Sequence, residues 1–220
     1  MLAVIADVHG NFEALRKAVD TLDSLVADEV VVLGDLIEGS LEHEDKVCIG
    51  NKCIDLIRER GYRCVKGNHD QWIAMFYKNP DRRKPYERNP KCTTLDDNIR
   101  NYLKELPAEI TVGPYLFAHS FPPGSYRFNG NLEEAKEALD IMVNDYPSIR
   151  ACFVGHNHHQ ECFFVDRNTG EFGEHRLQEF TLEKDKRYMI NPGALGVGED
   201  QGNCLVLDPD KATVSRKKLW

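Results

Sequence analysis

The sequence predicts an α/β protein. Three observations lead there: short apolar runs alternate with amphipathic helical segments, each predicted strand ends in a polar cluster, and the composition is that of a folded chain. Leu2-Ala3-Val4-Ile5-Ala6 is a continuous apolar run of strand type. From Asn11 to Leu25, Phe12, Leu15, Val19 and Leu22 recur at helical spacing behind an Asn11 cap. Val30-Val31-Val32-Leu33 reads as a second strand ending at Gly34-Asp35. A helical pattern from about Glu44 to Arg60 then leads to a third strand, Arg63 to Lys66, closed by Gly67. Such alternation implies right-handed βαβ units and a parallel sheet.

The middle of the chain changes character. Lys78 to Thr94 is rich in Pro, Arg, Lys and Asn and separates a short helix after Asn68 from another at about Leu95 to Leu106. Residues 71–130 therefore read as a partly helical cap insertion. Strands are expected at Ile110 to Val112, Tyr115 to Ala118 and Ala151 to Val154, with a helix at Leu132 to Asn144 and mostly short strands and turns beyond. No repeat or linker divides the chain, so residues 1–220 are expected to form one domain.

With 220 residues, 41% hydrophobic and 29% charged, the chain has enough apolar material for a substantial core without resembling a membrane protein. The opening apolar run lacks a basic flank and ends at Asp7, so neither a signal peptide nor a membrane span is expected, and a cytoplasmic location is. Seven scattered cysteines without a C-x-x-C pair read as buried reduced thiols rather than a disulfide framework or zinc ribbon. A formal net charge of −8 disfavours binding to long nucleic acid. A small phosphorylated ligand stays compatible, because metal ions supply positive charge locally.

The chemistry lies in the strand-end clusters: Asp7-Val8-His9, Gly34-Asp35, Gly67-Asn68-His69-Asp70, Ala118-His119-Ser120 and Gly155-His156-Asn157-His158. Ligands of open α/β sheets bind outside the carboxyl ends of the strands, so these clusters converge on one rim. Asp7, His9, Asp35, Asn68, His119, His156 and His158 offer only nitrogen and oxygen, which suits manganese, iron, zinc, nickel or cobalt rather than a thiolate site. They are too many for one tetrahedral ion with an open position, and they suit two divalent ions that share a carboxylate.

This ordered series resembles the calcineurin-like metallophosphoesterase family, with motifs running from residue 7 to 158. By average usage Gly-Asn-His-Asp arises by chance in such a chain about once in a thousand, and Gly-His-x-His about once in a hundred. The resemblance implies a four-layer α/β/β/α sandwich and two divalent transition-metal ions, with manganese the first expectation. It implies that Asp7, His9 and His158 hold one ion, that Asn68, His119 and His156 hold the other, and that Asp35 bridges them. His69 would face the phosphoryl or leaving group, with Asp70 orienting it. Asn191-Pro192-Gly193 resembles a turn of the small bacterial and archaeal phosphodiesterase-like or diadenosine-tetraphosphatase-like members; an ordinary Pro-Gly turn explains it equally well.

The expected activity is hydrolysis of a phosphate ester or phosphoanhydride by a metal-bridging hydroxide, on a small nucleotide-like substrate. Open alternatives are a phosphomonoesterase or protein phosphatase, a non-catalytic interaction module, and a nuclease. No expected ligand is missing, which counts against the module, and the acidic balance counts against the nuclease. Arg127 is a candidate phosphate contact by position, whereas the basic run Arg82 to Lys91 reads first as a solvated loop. His43, His159 and His175 read as ordinary core or surface histidines.

Overall fold

All four residues of β1 (Leu2–Ile5) are buried. A strand covered on both faces reads as a continuous apolar run, and here Ala3 and Ile5 face one core while Leu2 and Val4 face another. The computed structural model describes residues 1–25, 27–38, 44–76, 97–125, 131–198 and 201–220. Within them the chain runs from β1 through α1 (Phe12–Leu22), β2 (Glu29–Val32), α2 (Glu44–Glu59), β3 (Arg63–Cys64), α3 (Asn68–Phe76) and α4 (Asp97–Glu105). Next come β4 (Glu109–Val112), β5 (Tyr115–Ala118), α5 (Leu132–Asp145), β6 (Ala151–Phe153), β7 (Gln160–Asp166) and β8 (Phe172–Glu174). The last strands are β9 (Glu179–Thr181), β10 (Lys186–Pro192), β11 (Asn203–Asp208) and β12 (Thr213–Lys218).

Two six-stranded sheets stack, in the orders β3-β2-β1-β11-β12-β9 and β4-β5-β6-β10-β7-β8. Leu2, Val4, Val31, Leu33, Leu205 and Leu207 from the first sheet meet Tyr115, Phe117, Phe153, Tyr188 and Ile190 from the second. Outside the first sheet, α1 to α4 bury Leu15, Val19, Ile54, Ile57, Ile73, Ile99 and Leu103. Outside the second, α5 buries Ala135, Leu139 and Met142 against Leu116, Cys152 and Met189. The layers are helix, sheet, sheet, helix. Asn11 caps α1 by accepting from Ala14 N at 3.1 Å, and Asn131 caps α5 by accepting from Glu134 N at 2.9 Å.

Two expectations are corrected. The sheets are mixed: β1-β2-β3 and β5-β6-β10 are parallel, but β11, β12, β9, β4, β7 and β8 join antiparallel. The span 71–130 is not a single insertion either, since α3 and α4 belong to the outer helical layer and β4 and β5 to the second sheet. Residues 77–96 and 126–130, with the basic run and Arg127, lie outside the described residues, as does His43. Cys53, Cys64, Cys152, Cys162 and Cys204 are free and buried. No helix among the described residues is long and apolar enough to cross a membrane.

Phe117 and Phe153 stack between the sheets with ring centroids 5.0 Å apart, and both are fully buried. Phe153→Ala is expected to lower the unfolding free energy by about 3–5 kcal/mol, measured by urea denaturation. A loss below about 1 kcal/mol would mean that this ring is not in a packed interior.

Candidate active site

The loops leaving β1, β2 and β6 carry an unusual backbone. Non-glycine residues with positive φ among the described residues are Asp7 (54°), His9 (47°), Asp35 (49°), His156 (75°), His158 (66°) and Ala212 (53°). All but Ala212 are residues of the expected ligand set. The left-handed region costs L-residues about 1–2 kcal/mol each, and such strain persists only where the surroundings enforce it. Cross-loop hydrogen bonds do so here: Asp7 N to Gly34 O (3.2 Å), His9 N to Asp35 O (2.8 Å) and Gly10 N to Leu36 O (3.0 Å). Gly34 lets a third and fourth loop close in, because a Cβ there would lie 2.6 Å from Gly67 N and 2.9 Å from His119 Nδ1.

These loops bring the expected donors together. Asp7, His9 and His158 form one group of potential ligand atoms within 4.8 Å of one another, and Asp7, Asp35 and His119 form a second. Asp35 Oδ2 lies between the two, 3.7 Å from His9 Nε2 and 3.3 Å from His119 Nε2. Asn68 Oδ1 faces both His119 Nε2 and His156 Nδ1 at 2.8 Å. The His156 backbone N–H donates to Asp7 at 3.1 Å, tying the β6 loop to the β1 loop.

The donor chemistry fits metal ions. His9 Nε2 and His158 Nε2 approach to 3.0 Å, so at most one can hold a proton between them. The His119 Nδ1–H donates to Leu33 O at 2.7 Å, which aims Nε2 at oxygens alone, the arrangement expected of a metal-ligating histidine. Burial pushes Asp7 up to about 6. Burial would raise Asp35 as well, but neighbouring His119 holds that carboxyl well below the ordinary range. Burial opposes charge on His119, yet Asp35 reverses this and carries the imidazole up to about 10. Burial and neighbouring His9 push His158 down to about 4. Buried carboxylates among closely spaced imidazoles are a donor set that a shared cation would fit.

The model of the Calcineurin-like phosphoesterase family matches residues 1–160. The chain belongs to the calcineurin-like phosphoesterase family. It is a metal-dependent phosphoesterase by that membership. An uncharacterized protein of Methanocaldococcus jannaschii is 26% identical over 212 residues, covering 91% of this chain and 78% of the relative. The metallophosphoesterase of Sphaerobacter thermophilus superposes with a TM-score of 0.71 at 23% identity, over 99% of this chain and 87% of that one. A structure described as an archaeal phosphodiesterase superposes at 0.50 with 14% identity, over 99% and 98%. These likenesses carry the fold.

Within this family fold, one acidic side chain was missed by the sequence reading. Glu38 is buried, its Oε1 lies 2.9 Å from His69 Nδ1 and its Oε2 3.3 Å from His9 Nδ1. The signal was available, since an acid three residues after Asp35 stays in the same strand-end loop. Asp70 also has a backbone role that the sequence did not announce. Its oxygens accept from Leu36 N (3.0 Å) and Gly67 N (2.9 Å), which clamps the β2 and β3 loops together, while the imidazole of His69 meets Glu38. Burial lifts Asp70 to about 6. Asn191 is also structural in a specific way: its amide donates to Gly155 O (2.8 Å) and Asn157 Oδ1 (2.6 Å), bracing the His156–His158 loop. His159 and His175 are exposed, and His175 stacks on Phe180 at 4.2 Å.

Metal binding should release protons. His119, at about 10, is protonated in the metal-free protein at pH 7, and an imidazole ligand must be neutral. Apparent affinity should therefore rise with pH from neutrality toward 10, and still more steeply below about 6, where Asp7 must also lose its proton. Calorimetry at pH 7 in buffers of different ionisation enthalpy should report about one proton released as the ion at His119 binds. No release would show that the ion does not displace a proton from His119.

Proposed function

We propose that this chain is a cytoplasmic hydrolase that cleaves a phosphodiester or phosphoanhydride bond of a compact, nucleotide-like substrate with two divalent ions. Manganese is the first metal to test, followed by iron, zinc, nickel and cobalt. The observation that carries the reading is the pair of overlapping donor groups, with Asp35 Oδ2 between His9 and His119. Asp7, His9 and His158 would hold one ion, Asn68, His119 and His156 the other, and Asp35 would serve both. When bound, such ions polarise phosphoryl oxygens and lower the pKa of water toward neutrality.

The chain's own residues supply position and a proton. His69 is 25% exposed, unlike its buried neighbours, and its Nε2 stands 4.0 Å from Asp35 Oδ2, at the mouth of the donor cluster. Burial opposes charge on this imidazole, but hydrogen bonding to Glu38 and the nearby carboxylates raise its pKa overall. That direction favours the protonated ring, the form that can give a proton to the departing oxygen. Glu38 is a positioning residue: it fixes the ring through Nδ1 and leaves Nε2 toward the substrate. The acidic composition supports a compact substrate over a long polynucleotide. Buried free cysteines accord with a reducing compartment.

A reconstituted enzyme tested on a chromogenic diester, a monoester and a dinucleoside polyphosphate should prefer diester or anhydride. Asp35→Asn should lose metal and activity together. His69→Ala should keep near two ions per chain and lose about 10²–10⁴-fold in kcat, less with a good leaving group. Glu38→Gln should retain metal with a smaller kcat loss and a shifted pH profile. Saturation of wild type at one ion, or strong preference for the monoester, would overturn the proposal.

A further inference from the structure

Gln160 opens β7 two residues after His158, and its Nε2 is buried without a hydrogen-bond partner among the described residues. It lines a cleft of about 590 Å³ that lies apart from the donor cluster. The far wall is the segment crossing from β8 to β9, that is, from the second sheet to the first. His175 N donates to Cys162 O at 2.7 Å, Arg216 N donates to Gln178 O at 3.2 Å, and Leu177 is buried beneath. That segment is therefore pinned to both sheets.

The cleft sits on the same rim as the donors. β12 is antiparallel to β11, which is antiparallel to β1, so β12 runs in the direction of β1 and carries Arg216 toward the Asp7 end. In the second sheet one strand, β10, separates β6 from β7. A lateral step of about 10 Å thus leads from the strand that feeds His156 to the strand that starts at Gln160.

Arg176 and Arg216 both line this cleft, come from different elements and are exposed. Among the described residues neither guanidinium has an ion pair or hydrogen bond. Two carboxylates share the cleft without pairing with either arginine: Glu161 Oε2 accepts from Asn157 Nδ2 at 3.0 Å, and Glu174 lies exposed on β8. Two guanidinium groups without a protein partner thus face one cleft. An anion with several oxygens fits them, since Arg forks pair best with phosphate or carboxylate.

We propose that this cleft is a second anion subsite, which takes a phosphate of the substrate remote from the phosphoryl group at the metal donors. The substrate class then narrows to compact molecules with at least two phosphoryl groups along a flexible chain. Which phosphate is cleaved rests on the proposed function; anion binding in the cleft does not.

The test uses the full chain and the double variant Arg176→Gln/Arg216→Gln, whose exposed positions leave the cores intact. Calorimetry with inorganic tripolyphosphate on protein as purified should show at least ten-fold weaker binding by the variant, with metal content and circular dichroism unchanged. On the metal-loaded enzyme, KM for diadenosine tetraphosphate should rise at least ten-fold with kcat nearly constant. Turnover of bis(p-nitrophenyl) phosphate, too short to reach the cleft, should not change. Equal tripolyphosphate binding by the two proteins, or equal kinetic losses on both substrates, would overturn the subsite. If wild type turns over neither substrate yet the binding difference stands, the proposed function fails and the anion site survives.

Discussion

Asp7, Asp35 and Asp70 are almost completely buried, and His9 and His119 are buried with them. Taking even one carboxylate out of water costs several kcal/mol unless opposing charge or good hydrogen bonds offset it. The protein meets part of this need with backbone N–H groups, from Leu36 and Gly67 to Asp70, from His156 to Asp7 and from His69 to Asp35. The rest falls to imidazoles, above all His119, whose Nε2 lies 3.3 Å from Asp35 Oδ2 and offsets its charge. Every other feature of the rim follows from keeping these groups close.

Closeness on this scale needs rigid supports. The expected ligands follow five different strands, and the loops after β1, β2 and β6 bend through a left-handed residue at once. A sandwich with two dry faces supplies the stiffness, because β1 and β2 are buried on both sides and cannot shift without opening a core. Gly34 and Gly155 then permit the approach: at Gly155 a Cβ would lie 2.8 Å from Asp7 Oδ2. Strain in the loops and packing in the strands are two sides of one arrangement.

The gathering of the expected donors on one rim was legible because it follows a simple rule, that polar residues just past apolar strands point to a common rim. The four layers were legible through the family resemblance, and the element positions through periodicity. The antiparallel half of each sheet was not: β11 pairs with β1 across some 200 residues, and local patterning carries no information about such a partner. Glu38 was missed for a related reason. An acid in a loop looks solvated until the fold buries it between two imidazoles. The structural part of Asp70 was not legible either: its carboxylate turns back to the N–H groups of its own turn and of the β2 loop, contacts that depend on how the two loops meet.

Overall charge makes substrate capture a local problem. At −8 the chain as a whole repels a phosphorylated molecule, so attraction must come from a few sites where positive charge is concentrated. Ions at the donor cluster would supply one such site, but their charge is partly cancelled by Asp7 and Asp35 beside them. Arg176 and Arg216 form no ion pair among the described residues, although Glu161 and Glu174 share their cleft, and they stand on the same rim. A substrate with a single phosphate feels only the first site. One with a chain of phosphates spans both, and the added contact contributes to binding without touching the bond that breaks. Interactions remote from the reacting centre of this kind separate related substrates that the metal donors alone cannot tell apart.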